Sequence, residues 1–172
     1  MQLLLEEIEG KATNVNLRRE KHGDDRVVAI DVNFVLEVSP TILDQLSANT
    51  EEKFEKILYS ENGNLKQSTL DGMNFNTEFD NHVVILNSSI DENYAKEFDD
   101  AKLCKFKASP RNGHIIDLSF QVQLHPSEEQ IHWLTDGYVR ELWTIEVKGS
   151  KQMDLELVES DDSPENQEPE AA

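Results

Sequence analysis

The stretch Val27-Val28-Ala29-Ile30-Asp31-Val32-Asn33-Phe34-Val35-Leu36-Glu37-Val38 alternates with period two. Val28, Ile30, Val32, Phe34, Leu36 and Val38 fall on one face, and Val27, Ala29, Asp31, Asn33, Val35 and Glu37 on the other. A strand collects such residues on one side, whereas a helix scatters them around its axis. The pattern predicts a long strand with one face buried and one wet, the usual condition of an antiparallel sheet.

Residues 115–125 repeat the pattern more cleanly. Ile116, Leu118, Phe120, Val122 and Leu124 oppose Asp117, Ser119, Gln121, Gln123 and His125. Five weaker strands are expected around these two. They are 11–20 (Thr13, Val15, Leu17), 79–86 (Phe79, Val83, Ile85) and 102–108, with Cys104, Phe106 and Ala108 opposite Lys105 and Lys107. The others are 142–148 (Trp143, Ile145, Val147) and 152–158 (Met153, Leu155, Leu157). His22-Gly23-Asp24-Asp25 and Arg111-Asn112-Gly113-His114 read as hairpin turns, the Asn-Gly pair suiting positive φ.

Helices are few. Ser39-Pro40 is a start signal before Ile42, Leu43 and Leu46. A second helix is expected over 50–59, burying Phe54, Ile57 and Leu58. Ser127 with Gln130 forms a capping-box signature, and the helix after it buries Ile131, Leu134 and Tyr138 and ends near Gly137. Residues 60–78 and 87–101 read as irregular. The fold class is then α+β, mainly antiparallel, as one sheet or two packed sheets with two or three short helices. One domain over 1–158 and a disordered acidic tail over 159–172 complete it.

Charge sets the functional reading. The chain carries 35 Asp and Glu against 16 Lys and Arg, a formal −19. Residues 151–172 account for 8 of the acids and 1 of the bases, so the body is itself strongly negative. Such a body repels phosphate backbones and attracts basic protein surfaces, including those built to hold nucleic acid. One cysteine fits a reducing compartment. The opening residues lack a basic n-region, and no run approaches a membrane span. These features predict a cytoplasmic protein with no membrane partner.

Catalytic and metal patterns are weak. His22, His82, His114, His125 and His132 stand in no metal-ligand spacing. Adjacent acids such as Asp24-Asp25 and Asp99-Asp100 should point to opposite faces of a strand, so they do not converge on one atom. Asp31 and Asp117, each interrupting a strand, read as parts of a solvated sheet face. Cys104 reads as a small core residue. Trp133 and Trp143 read as core before base-stacking platforms, and Phe75 and Tyr94 offer the same stacking role if exposed. No enzyme, no cofactor and no metal are expected.

Two binding surfaces follow. The first is acidic: Asp24 and Asp25 at the first hairpin, with Asp91, Glu92, Glu97, Asp99 and Asp100 in the connection 91–100. It suits a partner protein with a basic surface. The alternative is a nucleic-acid-binding stripe of Lys102, Lys105, Lys107 and Arg111. The same lysines would also guard an edge strand against aggregation.

Asn14-Val15-Asn16-Leu17-Arg18-Arg19-Glu20-Lys21-His22-Gly23-Asp24-Asp25, with Val28-Ala29-Ile30-Asp31-Val32 and Ile116-Asp117-Leu118-Ser119-Phe120-Gln121-Val122, resembles small phage and prophage early proteins. These are encoded near recombination and replication functions. The resemblance implies a bacterial cytoplasm during infection, with a host or phage protein as the partner of the acidic surface. Carboxylates arrayed for a groove meant for phosphates then suit a counter-defence protein, a DNA mimic or a modulator of DNA metabolism. It brings no catalytic motif. The tail is also similar to the acidic tails of bacterial single-stranded-DNA-binding proteins, but it ends Glu170-Ala171-Ala172 without their hydrophobic tip.

Overall fold

The computed structural model describes residues 2–22, 25–47, 52–68, 70–88, 95–138 and 142–149. Seven strands make one antiparallel sheet: β1 (Leu5–His22), β2 (Asp25–Val38), β3 (Met73–Phe75), β4 (Phe79–Ser88), β5 (Lys96–Arg111), β6 (Ile115–Leu124) and β7 (Leu142–Lys148). Three short helices accompany them: α1 (Ile42–Leu46), α2 (Phe54–Leu58) and α3 (Glu128–Tyr138).

The sheet closes on itself. Its order is β3-β5-β4-β7-β1-β2-β6, and β5 also pairs with β6. Six strands thus form a barrel, with β3 paired to β5 outside the ring. A single closed sheet replaces the alternative of two packed sheets. Closure removes most sheet edges and lets every inward side chain share one core. Phe34 and Phe120 meet there at 6.0 Å, and Phe106 stacks on Phe120 at 5.5 Å.

Both diagnostic strands bury the predicted face except at the hairpin end of β2, where Val28 is half-buried and Ala29, expected on the wet face, is buried. Ile30, Val32, Phe34 and Leu36 on β2, with Ile116, Leu118, Phe120, Val122 and Leu124 on β6, belong to the core. Trp143, Ile145 and Val147 do the same on β7. Elsewhere the alternation breaks at bulges. Glu7, Asn81, Asp100 and Lys105 all have positive φ, between 42° and 57°. Each coincides with a register shift: Leu5/Ile8, Phe79/His82, His82/Val84 and Cys104/Lys107. An extra residue on one strand bends it and increases local twist, which curves the sheet toward closure.

The bulges correct three expectations. On β4, the core face is Phe79, Val84 and Leu86 instead of Phe79, Val83 and Ile85. On β5, Leu103, Phe106 and Ala108 point inward, and Cys104 stands on the outer face beside Gln121. Residues 96–101 are strand where an irregular connection was expected. On β1, Leu17 is 51% exposed, because the strand runs beyond its pairing with β7, which ends at Lys11.

The helices follow their signals. α1 buries Ile42, Leu43 and Leu46. α2 is shorter than expected and leaves Ile57 exposed. At α3 the capping box forms both bonds: Ser127 N–H donates to Gln130 Oε1 at 2.8 Å, and Gln130 N–H to Ser127 Oγ at 3.3 Å. Leu134 is buried, and Trp133 packs edge-on against Trp143 at 5.0 Å. The expected strand 152–158 and the acidic tail lie outside the described residues, as does Tyr94.

Candidate functional site

The N-terminal half of β5 carries the acids that the structure brings together. Glu97, Asp99 and Asp100 are all exposed. Asp99 and Asp100 are adjacent, yet both reach solvent, because the bulge at Asp100 places two residues outward between Phe98 and Ala101. The expectation that neighbouring acids diverge is corrected here: an αL residue suspends the period of two. A cavity of about 500 Å³ opens beside them. Its walls include the three acids, Val27 from the first hairpin, Phe98, His125 and Gln130.

The start of α3 borders this groove and adds charge. Gln130 Nε2 donates to the Glu97 carbonyl at 3.0 Å, tying the helix to the strand. Lys96 Nζ bonds Glu129 at 2.7 Å and holds that carboxyl below the usual range. Lys96 is thus already engaged by an acid of α3. Asp25 opens β2 opposite His22, and its side chain lies outside the described residues. Asp24, Asp91 and Glu92 also lie outside them.

The basic half of β5 is organised differently. Lys102 Nζ contacts Glu78 at 2.5 Å and Asp80 at 3.5 Å. Its bond to Glu78 raises the ammonium's affinity for its proton. Arg111 contacts Glu37 at 2.7 Å and Asp117 at 2.8 Å. Two of the four stripe residues are thus matched by two carboxylates each. Lys105 and Lys107 are exposed and carry no ion pair among the described residues. Both lie opposite the inward Phe106 and Ala108, and the αL bulge at Lys105 brings Cys104 onto their face.

A polar band crosses the outer face of β1, β2, β6 and β5, a grouping that sequence reading divided among single residues. Arg18 bonds both Glu20 and Asp31, and His125 Nε2 lies 2.9 Å from Glu20. Gln121 Nε2 donates to Asn33 at 3.2 Å, and the Cys104 thiol lies 3.8 Å from Gln121. Asp31 and Gln121 are buried although they face away from the core. Burial is the main influence raising the Cys104 thiol, followed by Glu78; Lys105 and Lys102 oppose it. That is the reverse of an activated nucleophile, which needs a stabilised thiolate.

The histidines occupy separate places. His114 stacks on Tyr59 at 4.9 Å with Nδ1 3.2 Å from Glu55, at the wall of a second cavity of about 900 Å³. His82 is buried. Among the described residues, no three His, Cys, Asp or Glu side chains converge as a metal site. No helix among them is long and apolar enough to cross a membrane. Trp143 is buried, and Trp133 and Phe75 are partly buried against other rings, which leaves none of the three as an open stacking platform.

No family model matches the chain, and comparison with curated proteins and with solved structures gives no match.

Proposed function

We propose that this chain is a non-enzymatic accessory protein that binds a basic, nucleic-acid-facing surface of another protein. Glu97, Asp99 and Asp100 are the contact acids, and the groove beside them receives the partner's cationic side chains. The observation that carries this reading is a grouping on β5: the bulge at Asp100 turns Glu97, Asp99 and Asp100 all to solvent at the wall of one groove. In the basic half of the strand, Lys102 and Arg111 are each held by two acids. Rigid placement on a barrel strand supports it further, since pre-positioned carboxylates lose little side-chain freedom on binding. Electrostatic steering makes association fast and salt-sensitive.

The resemblance to phage early proteins supplies the setting, a bacterial cytoplasm during infection, where binding by an acidic surface serves counter-defence or DNA metabolism. DNA mimicry is the form such a role takes when carboxylates occupy a groove built for phosphates.

The test is capture from phage-infected lysate on the immobilised protein, with elution by a salt gradient. The triple variant E97K/D99K/D100K should lose the salt-eluted partner, and K105E/K107E should keep it. Loss with the lysine variant instead, together with a single-stranded-DNA gel shift by the parent, would favour the nucleic-acid-binding alternative.

A further inference from the structure

His82 uses both ring nitrogens in opposite senses. Nδ1 lies 2.9 Å from the Asp80 carbonyl, which only accepts, so Nδ1 carries the proton. Nε2 accepts the Leu3 N–H at 3.3 Å. The ring is 3% exposed and packs edge-on against Phe79 at 5.5 Å. This arrangement fixes one neutral tautomer.

Leu3 precedes β1, and its side chain is fully buried in the core. The next amide, Leu4 N–H, donates to Gln45 Oε1 on α1 at 2.9 Å. Two side-chain acceptors therefore hold the segment that leads into the barrel. A proton on Nε2 would set two N–H groups against each other in a buried site, a costly arrangement.

Around His82, the charged groups on neighbouring elements are Glu78 and Asp80, Asp100 and Lys102 on β5, Lys148 on β7, and Glu6 and Glu7 on β1. Lys102 is engaged by Glu78 and Asp80. No carboxylate hydrogen bond to the His82 ring occurs among the described residues to stabilise a second proton.

We infer that His82 is a proton-gated latch: the neutral ring holds Leu3 and the N-terminal segment against the barrel, and protonation releases them. Release frees the segment leading into β1 while the β2–β6 core stays paired.

Amide exchange read by NMR tests this. Between about pH 7.5 and about pH 5.5, protection of the Leu3 amide, corrected for intrinsic exchange, should fall severalfold, up to a linkage limit of about tenfold for one proton. Protection at Phe34 should hold. In H82Q, whose amide oxygen can accept the same N–H without titrating, Leu3 protection should stay flat. An unchanged Leu3 in the parent, or an equal fall in H82Q, would overturn the latch. Should H82Q fail to fold, the parent's ring nitrogen shifts decide: Leu3 must loosen in step with Nε2 protonation. A ring that titrates while Leu3 stays protected also overturns it.

Discussion

The Arg111 guanidinium lies 2.7 Å from the Glu37 carboxylate, joining the end of β5 to β2 across β6. Asp117 meets the same guanidinium from β6 at 2.8 Å. A cation surrounded this way presents little field to a phosphate, since two negative charges already answer it. Removing the acids should expose it. At low salt, E37Q/D117N should retard single-stranded DNA more than the parent does in a gel shift. Equal behaviour would mean that Arg111 is not masked by these carboxylates.

Cys104 should be slow to react. Its thiol is 3% exposed and its proton is retained mainly because burial penalises the thiolate. Ellman's reagent at about pH 8 should label the native protein far more slowly than the urea-unfolded chain. The linkage has a definite sign. A thiol whose pKa is higher in the folded state contributes nothing to the slope below its unfolded value, and stability then falls as pH rises through it, near about 8.5. C104A should remove that part of the alkaline decline in urea melts.

Ser127 closes the N-terminus of α3, with Gln130 returning the bond. S127A should cost about 1 kcal/mol in urea unfolding. Trp133 and Trp143 meet at 5.0 Å, so tryptophan fluorescence reports the transition directly.

Gly10 has no room for a side chain. A Cβ there would stand 2.0 Å from Leu36 Cδ2 and 3.0 Å from the Val35 carbonyl oxygen. G10A should destabilise by about 1–3 kcal/mol through overpacking. Adding L36A should recover part of this loss, because the clash is with a side-chain end. A simple sum of the two single costs would contradict that explanation.

Sequence reading reached the strands whose alternation is unbroken. β2, β6 and β7 bury the residues their pattern assigns, apart from Val28 at the hairpin end of β2. It failed where one αL residue changes the period. Around Asp100, two acids face outward in succession, so Lys96–Ala101 looks like an acidic loop in one dimension. Lys105 moves Cys104 to the face opposite Phe106 in the same way. Bulges at Asp or Lys leave no glycine to mark them, and they become visible only through register with a partner strand. β3 is three residues long and too short to show a period. The acids Glu97, Asp99 and Asp100 were legible as a charge run, but their grouping with Val27, Phe98, His125 and Gln130 was not. That grouping depends on α3 folding back onto β5.

The most direct measurement is displacement by DNA. A partner captured on the immobilised protein is challenged with increasing duplex DNA at constant ionic strength. If carboxylates on β5 occupy the partner's phosphate-binding surface, DNA should release the partner in proportion to its own affinity for that partner. A partner that binds DNA and stays attached to this protein at saturating DNA would place the contact elsewhere and contradict the proposed function.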